Sequence, residues 1–274
     1  MAENFTLITN ENIEGFSGVL PKDMASTNVR FSVGAYDDEK NVLGAVSYTM
    51  IDYQYEVDWL YVEPQARRRK IATQLMDKVI SFASETLEIF PITVHYSSSG
   101  EGDPIHEFFM FYGKMDVSYS HERYLIRAKD IPLSPFLHKN LKMRHDRKKF
   151  FDEPLDVQRK ILKLLERSSN YVVEDIKCWE ATCEKDLCQC IYVNNNLMDA
   201  IFIQKNADGS LELSFLYSKY SEGLLSLITS VAEEIELNYP GHDLMFDAIN
   251  TESQRLAEKL FPGASSRPVY EADW

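Results

Sequence analysis

Nowhere in its 274 residues does the chain hold 18 consecutive apolar residues, so no segment predicts a membrane-spanning helix. The opening MAENFTLITNENIEGF has neither a basic stretch nor an apolar core, which predicts no secretory leader. Cysteine is scarce. The four residues, at 178, 183, 188 and 190, are spaced C-x4-C-x4-C-x-C and lack the paired C-x2-C hooks of a structural zinc site. They read as small strand residues of a reduced, cytoplasmic protein, and no His/Cys/Asp spacing calls for a metal. Gly-x-Ser-x-Gly is absent too, which removes the serine-hydrolase elbow. Basic residues are outnumbered, 29 Lys and Arg against 43 Asp and Glu, for a net charge of −14. Up to about residue 135 the counts are 12 and 20, and beyond it 17 and 23, so neither half is a basic module. A field of that sign disfavours nucleic acid and anionic membranes as partners.

What is present suffices for real cores: 45% of the residues are apolar and 12% aromatic. The length suits one large domain or two ordinary ones. Residues 11–20 predict a short helix carrying Ile13, Phe16 and Leu20. Strands follow at VRFSVGAY (29–36), NVLGAVSYTMI (41–51) and YEVDWLYV (55–62), the first two joined by a DDEK turn. Ile71, Leu75, Val79 and Phe82 then recur every three or four residues, opposite Asp77, Lys78, Ser81 and Glu85. That spacing predicts an amphipathic helix to about residue 86. A strand ITVHYS (92–97), a turn SSSGEGDP, a helix at 105–115 and a strand at 117–128 complete an α/β module.

From about 131 the texture changes. IPLSPFLHKNLKMRHDRKKFFDEP has three prolines and a basic cluster, and reads as a linker with a solvated helix. Beyond it come a helix LDVQRKILKLLER, strands near LCQCIYV, MDAIFIQ and LELSFLYS, and an Asp-Gly turn in NADGS. A helix SEGLLSLITSVAEEIEL, a strand DLMFDAI, a helix ESQRLAEKLF and a strand near RPVYEA end the chain. The halves repeat one order of elements. EVDWLY (56–61) answers ELSFLY (212–217), and KLFPG (259–263) falls where MFYGK (110–114) stood. The expected fold class is α/β with a mixed sheet, in two tandem domains: 1–135, a linker at 136–154, and 155–274.

One stretch calls for a reason of its own: VEPQARRRKIAT, in which four adjacent cations separate a strand from a helix. The first N–H groups of a helix have no intrahelical acceptor, and its macrodipole adds partial positive charge there. A pyrophosphate placed on that turn receives several N–H bonds at once. The frame Arg67-Arg68-Arg69-Lys70-Ile71-Ala72, after Val62-Glu63-Pro64, resembles the cofactor loop of the GNAT superfamily of acyl-CoA N-acyltransferases. Phe111-Tyr112-Gly113-Lys114 resembles a later motif of that family. Lys70 and Arg68 stand where the family commonly has glycine.

The resemblance implies two GNAT-like domains and an acyl group moved from acetyl-CoA to an amine of a small molecule or peptide, without a metal. It implies donor binding by Leu60, Tyr61, Val62, Arg67, Arg68, Arg69, Lys70, Ile71, Ala72 and Thr73. The backbone of Leu60–Val62 would hold pantetheine and offer an oxyanion N–H. Tyr112 becomes the candidate acid for the departing thiolate, since a phenol near 10 and a thiol at about 8–9 are closely matched. Glu56 becomes the candidate base, with Asp58 as its alternative. Strict alternation puts Glu56, Asp58, Leu60 and Val62 on one face of the strand. His95 is a possible relay. The second half lacks these parts: SKYSEGLLS replaces the cationic loop and Phe261 replaces Tyr112. It reads as a non-catalytic copy that stands in for a dimer partner, which predicts a monomer. The other reading is a CoA-binding pseudoenzyme or interaction module.

Overall fold

The computed structural model describes residues 3–20, 30–51, 54–85, 91–134, 146–168, 183–194, 196–206, 209–219 and 221–274. Its two compact units are not consecutive halves of the chain. One comprises Met1–Ser120 together with Pro268–Trp274, the other His121–Arg267.

In the first unit β1 (Glu3–Leu7), β2 (Arg30–Asp37), β3 (Val42–Ile51) and β4 (Gln54–Val62) pair antiparallel in succession. Next, β5 (Ile92–Ser97) lies parallel to β4. A parallel neighbour needs a crossover, and α2 (Ile71–Glu85) supplies it. Of its predicted stripe Ile71, Leu75 and Val79 are buried, while Phe82 is exposed and Ala83 takes the buried position beside it. Ile71, Leu75, Met76, Val79 and Ala83 pack on Val33, Val46, Val57, Ile92 and Val94 from the strands. Each large apolar side chain so buried contributes about 1.5–3 kcal/mol.

The other sheet face is covered by α1 (Ile13–Phe16), shorter than the helix expected over 11–20. Its neighbours Val19 and Leu20 are buried with Phe16 against Ala45. The expected helix over 105–115 is α3 (Pro104–Tyr112), started by an Asp103 cap and Pro104 and stopped by Gly113 in the left-handed region, φ 72°. The next strand on β5 is β12 (Ser265–Asp273), whose Val269–Asp273 stretch pairs antiparallel with Ser97–Thr93.

The second unit repeats the plan. Its strand order is β6 (Asp116–Ile126, from His121 on), β11 (Leu244–Ala248), β10 (Leu211–Ser218), β9 (Asn196–Lys205), β8 (Gln189–Val193) and β7 (Asp146–Lys149). Only β10 and β11 are parallel among these pairs. Among the described residues its α-helices are α4 (Leu155–Ser168), α5 (Ser221–Asn238) and α6 (Thr251–Leu260). The duplication extends to a detail. In β4 the register skips Asp58, and in β10 it skips Ser214, the same place in EVDWLY and ELSFLY.

One local expectation is corrected. Residues 146–149 are not a solvated linker helix but the strand β7 on β8, because Phe150 behind them is fully buried against Phe202 and anchors the segment. Residues 135–145 of that stretch, Cys178, and positions 207–208 of the Asp-Gly turn lie outside the described residues. The strand β1 has no counterpart in the sequence reading; its pairing with β2 defines it.

Candidate active site

The β4–β5 register comprises Tyr55–Ile92 and Glu56–Thr93, after which the strands part. The cause lies in β4: Ser47 faces Trp59 and Tyr48 faces Val57, so Asp58 is an extra residue. Such a bulge bends its strand and leaves a ladder position unpaired. It also corrects the alternation expected from sequence. Tyr55 and Val57 belong to the α2 side before the bulge, and Leu60 and Val62 after it. Glu56 therefore shares the opposite face with Trp59 and Tyr61, not with Leu60 and Val62. Gly44 lets β3 lie close against this end of β4, since a Cβ there would stand 2.5 Å from the Tyr61 carbonyl oxygen.

From Val62 the chain enters a 3-10 turn, Pro64–Ala66, then the cationic run. Arg68 and Lys70 both have left-handed backbones, φ 64° and 63°. These are the two positions where the resembled loop commonly has glycine, so the glycine geometry is kept without the glycine. L-residues adopt it at a cost of about 1–2 kcal/mol each. The path delivers α2 with its first turn open: the Gln74 N–H donates to the Lys70 carbonyl at 3.0 Å, and the amides of Ile71, Ala72 and Thr73 precede it.

These parts line one groove of about 660 Å³. Its walls include Leu60, Tyr61 and Val62 from β4, Arg67, Arg68 and Lys70 from the loop, Ile71, Ala72 and Thr73 from α2, and Tyr112 from α3. Arg67 also braces the strand end, its Nε donating to the Val62 carbonyl at 3.0 Å while its guanidinium carbon lies 6.0 Å from the Tyr61 ring centroid. Two of the expected residues are not in the groove lining, Arg69 and Glu56. The charge of Arg69 bears on Asp37, whose carboxyl is held low chiefly by its Asn41 hydrogen bond. The sequence reading missed the α3 wall: Ile105, Phe108 and Phe111 close the groove's apolar side, and Phe111 is 84% exposed. The signal was available in GDP, an aspartate cap and N1 proline that fix where α3 begins.

Tyr112 faces the groove from a constrained position. Its hydroxyl donates to Asp77 Oδ1 at 2.5 Å, and Lys114 Nζ reaches the same oxygen at 2.7 Å. Burial and the Asp77 carboxylate push the phenol well above its ordinary value. Burial opposes ionisation of Asp77, but the Lys114 and Tyr112 hydrogen bonds outweigh it and hold the carboxyl below the usual range. The close match of phenol to thiol expected from sequence is thereby widened, and the hydroxyl must turn from Asp77 before it can donate elsewhere.

Glu56 meets His95, with Oε1 3.4 Å from Nδ1. Thr49 on the neighbouring strand donates to Asp58 Oδ2 at 2.9 Å. Among the described residues no group of three His, Cys, Asp or Glu is placed to hold a metal, and no helix is long and apolar enough to cross a membrane. Cys183, Cys188 and Cys190 are buried, and burial pushes the Cys190 thiol up to about 12.

The same region of the second unit is built differently. β10 ends at Ser218 and α5 begins at Ser221, which leaves no room for a cationic loop. Between β10, β11 and the helices lies an apolar cavity of about 50 Å³, walled by Leu213, Leu216, Phe246 and Phe261 among others.

Residues 9–95 match the model of the acetyltransferase (GNAT) family. In fold the chain is similar to a GCN5-related N-acetyltransferase from Sphaerobacter thermophilus, with a TM-score of 0.68 at 10% identity over 99% of this chain and 95% of that one. It is also similar to a tandem GNAT protein from the clavulanic acid biosynthesis pathway, with a TM-score of 0.65 at 14% identity over 97% and 87%. A third likeness is to a GCN5-related glucosamine N-acetyltransferase region in a fungal multi-domain GH3 beta-N-acetylglucosaminidase, with a TM-score of 0.62 at 11% identity. All of this chain is covered there but only 38% of the fungal one. At these identities the likeness is one of fold. No curated protein matches the chain in sequence.

Proposed function

We propose, from the premise that residues 9–95 carry a GNAT acetyltransferase domain, that the first unit moves an acetyl group from acetyl-CoA to an amine of a small molecule or peptide. One observation carries this reading: the groove runs from the end of β4 at Leu60–Val62, beyond its last pair with β5, to the open first turn of α2 and is lined by Arg67, Arg68 and Lys70. A thioester with a nucleotide tail suits that gradient, apolar at the end of β4 and along α3 and cationic at the helix end. The left-handed backbones of Arg68 and Lys70 support the fit, since they keep the loop amides in the arrangement that glycines would give.

In this reading the amides of Ile71, Ala72 and Thr73 hold the pyrophosphate and Arg67 and Arg68 neutralise it. The free edge of β4 at Leu60–Val62 takes the pantetheine arm and presents an N–H to the thioester oxygen. The acceptor amine loses a proton toward Glu56, its lone pair bonds to the thioester carbon, and the C–S bond breaks. Tyr112, once turned from Asp77, protonates the thiolate. The second unit, without a loop or a phenol at Phe261, is a non-catalytic scaffold in a monomer. Cytoplasmic residence is supported by the buried, unbridged thiols of Cys183, Cys188 and Cys190.

Calorimetric titration with CoA and acetyl-CoA, followed by thiol release against a panel of amines, tests the proposal. Tyr112→Phe should lower kcat about 100-fold or more while leaving CoA affinity near wild type; unchanged turnover removes Tyr112 as the acid. The Tyr112–Asp77 contact and the Lys70 side chain favour a second reading, a CoA-binding pseudoenzyme. Binding without acylation of any amine would select it.

A further inference from the structure

Three strands of the first unit bring three ionisable side chains into one row: Glu56 on β4, His95 on β5 and Glu271 on β12. His95 Nδ1 lies 3.4 Å from Glu56 Oε1, and its Nε2 lies 3.6 Å from Glu271 Oε2. The imidazole thus spans two carboxylates. Glu271 is fixed opposite His95 by the β5–β12 register, and Asp273, two residues on, adds negative field from the same strand.

Register identifies the matching row in the second unit. Thr93 pairs with Glu56 as Met245 pairs with Glu212; two residues further on stand His95 and Asp247. Glu271 faces His95 as Arg123 faces Asp247. The counterpart row is therefore Glu212, Asp247, Arg123. There Arg123 donates two hydrogen bonds to Asp247, both at 2.6 Å, with Glu212 at 3.9 Å. A guanidinium does not deprotonate, and with His121, whose Nε2 lies 3.4 Å from Asp247 Oδ2, it holds the Asp247 carboxyl far below the carboxylate range against burial, so the position opposite Asp247 is a fixed cation. In the copy without a cofactor loop the middle of the row is a carboxylate held by Arg123 and flanked by His121, whereas in the copy with one it is an imidazole between two acids.

We infer that, granted the acyltransferase reading above, His95 is the group that finally holds the acceptor's proton, with Glu56 as the carboxylate that passes it and Glu271 as the positioning residue. The ammonium N–H bond breaks and its proton goes to a Glu56 oxygen. A proton passes from Glu56 to His95 Nδ1, and the freed lone pair attacks the thioester. The charge of Glu271, 3.6 Å from Nε2, favours the proton on that nitrogen, which selects the tautomer whose Nδ1 is open toward Glu56. A segment at the end of the chain thereby completes the site of the first unit.

The direction of the imidazole's titration agrees. The Glu56 hydrogen bond raises it, burial opposes, and the charges of Glu56, Glu271 and Asp273 raise it further. Below that value His95 already carries its proton and cannot accept another. The acid-side limb of the rate profile should therefore lie above the ordinary imidazole value of about 6.5.

The test measures kcat/KM against pH at saturating acetyl-CoA, with spermidine and a lysine-containing tripeptide as probe amines. His95→Gln should remove the limb and lower kcat/KM about 100-fold. Glu271→Gln should move it down by about half a pH unit or more, while Glu271→Asp, which keeps the charge, should leave it in place. CoA affinity should stay at wild type in all three, since none of these residues lines the groove. A uniform loss of rate with an unmoved limb in Glu271→Gln would overturn the inference and leave the acyltransferase reading standing. A wild-type protein that binds CoA and acylates neither probe nor any amine of the panel would overturn both.

Discussion

Ending the chain at Arg267 should cost the first unit its stability, although the residues removed lie at the far end of the sequence. Pro268–Trp274 is the stretch that pairs with β5. Trp274 N–H donates to the Ile92 carbonyl at 2.9 Å, Ile92 N–H returns to the Trp274 carbonyl at 3.2 Å, and Ser98 N–H meets the Pro268 carbonyl at 3.0 Å. Between these ends five residue pairs continue the ladder. Val269 and Ala272 are almost fully buried, and the Tyr270 ring lies 5.8 Å from Tyr96 and 4.3 Å from His106. Losing the apolar burial and several backbone bonds together should cost about 5 kcal/mol, comparable to the whole stability of a small domain at about 5–15 kcal/mol. The deletion also bares β5 as an edge open to other chains. A protein ending at Arg267 should therefore aggregate or show early proteolysis within residues 1–120, whereas fusing 268–274 back through a flexible linker should restore the melt. Residues 1–135 expressed alone should fail in the same way. A wild-type melting curve for the shortened chain would show that β5 does not need its neighbour.

That dependence was not legible in the sequence, and the reason is physical. Local pattern fixes an element; only tertiary pairing decides which sheet it joins. The stripe of Ile71, Leu75 and Val79 specifies α2 because helix period and burial coincide. ITVHYS is likewise a strand by composition alone. RPVYEA is equally readable as a strand, but nothing in its residues says that its partner lies about 170 positions earlier in β5. The parity of Glu56 failed for a related reason: a bulge at Asp58 has no sequence mark, and one extra residue reverses every assignment beyond it. The repeat EVDWLY and ELSFLY did hold the clue, since the two copies skip at the same place. Asp77 could be read as a solvent-face residue of α2 and no more. Its role as the anchor of Tyr112 depends on α3 arriving above it.

The largest effect on donor binding is expected in the loop, and there the structure separates residues that the sequence treated alike. Changing Arg67, Arg68, Arg69 and Lys70 together to glutamate should abolish CoA binding in the calorimeter, because the three cations that line the groove, and a fourth beside them, all become anions. Each lost charge-assisted contact is worth about 1.5–3 kcal/mol, so two alone would weaken binding about 100-fold or more. Retained affinity would reject the cradle. The single changes should diverge. Arg69→Glu should leave affinity near wild type, since Arg69 is not in the groove lining and its charge bears on Asp37. Arg67→Glu should weaken binding and also loosen the end of β4, where its Nε holds the Val62 carbonyl. Lys70→Gly is the most informative change. It removes a charge but also the left-handed strain at φ 63°, which is worth about 1 kcal/mol. If the donor is held chiefly by the amides of Ile71–Thr73, the glycine variant should bind CoA at least as tightly as wild type and melt no lower. A marked loss of affinity would mean that the lysine ammonium is itself the phosphate ligand, so that the chain has exchanged a backbone contact of the loop for a side-chain one.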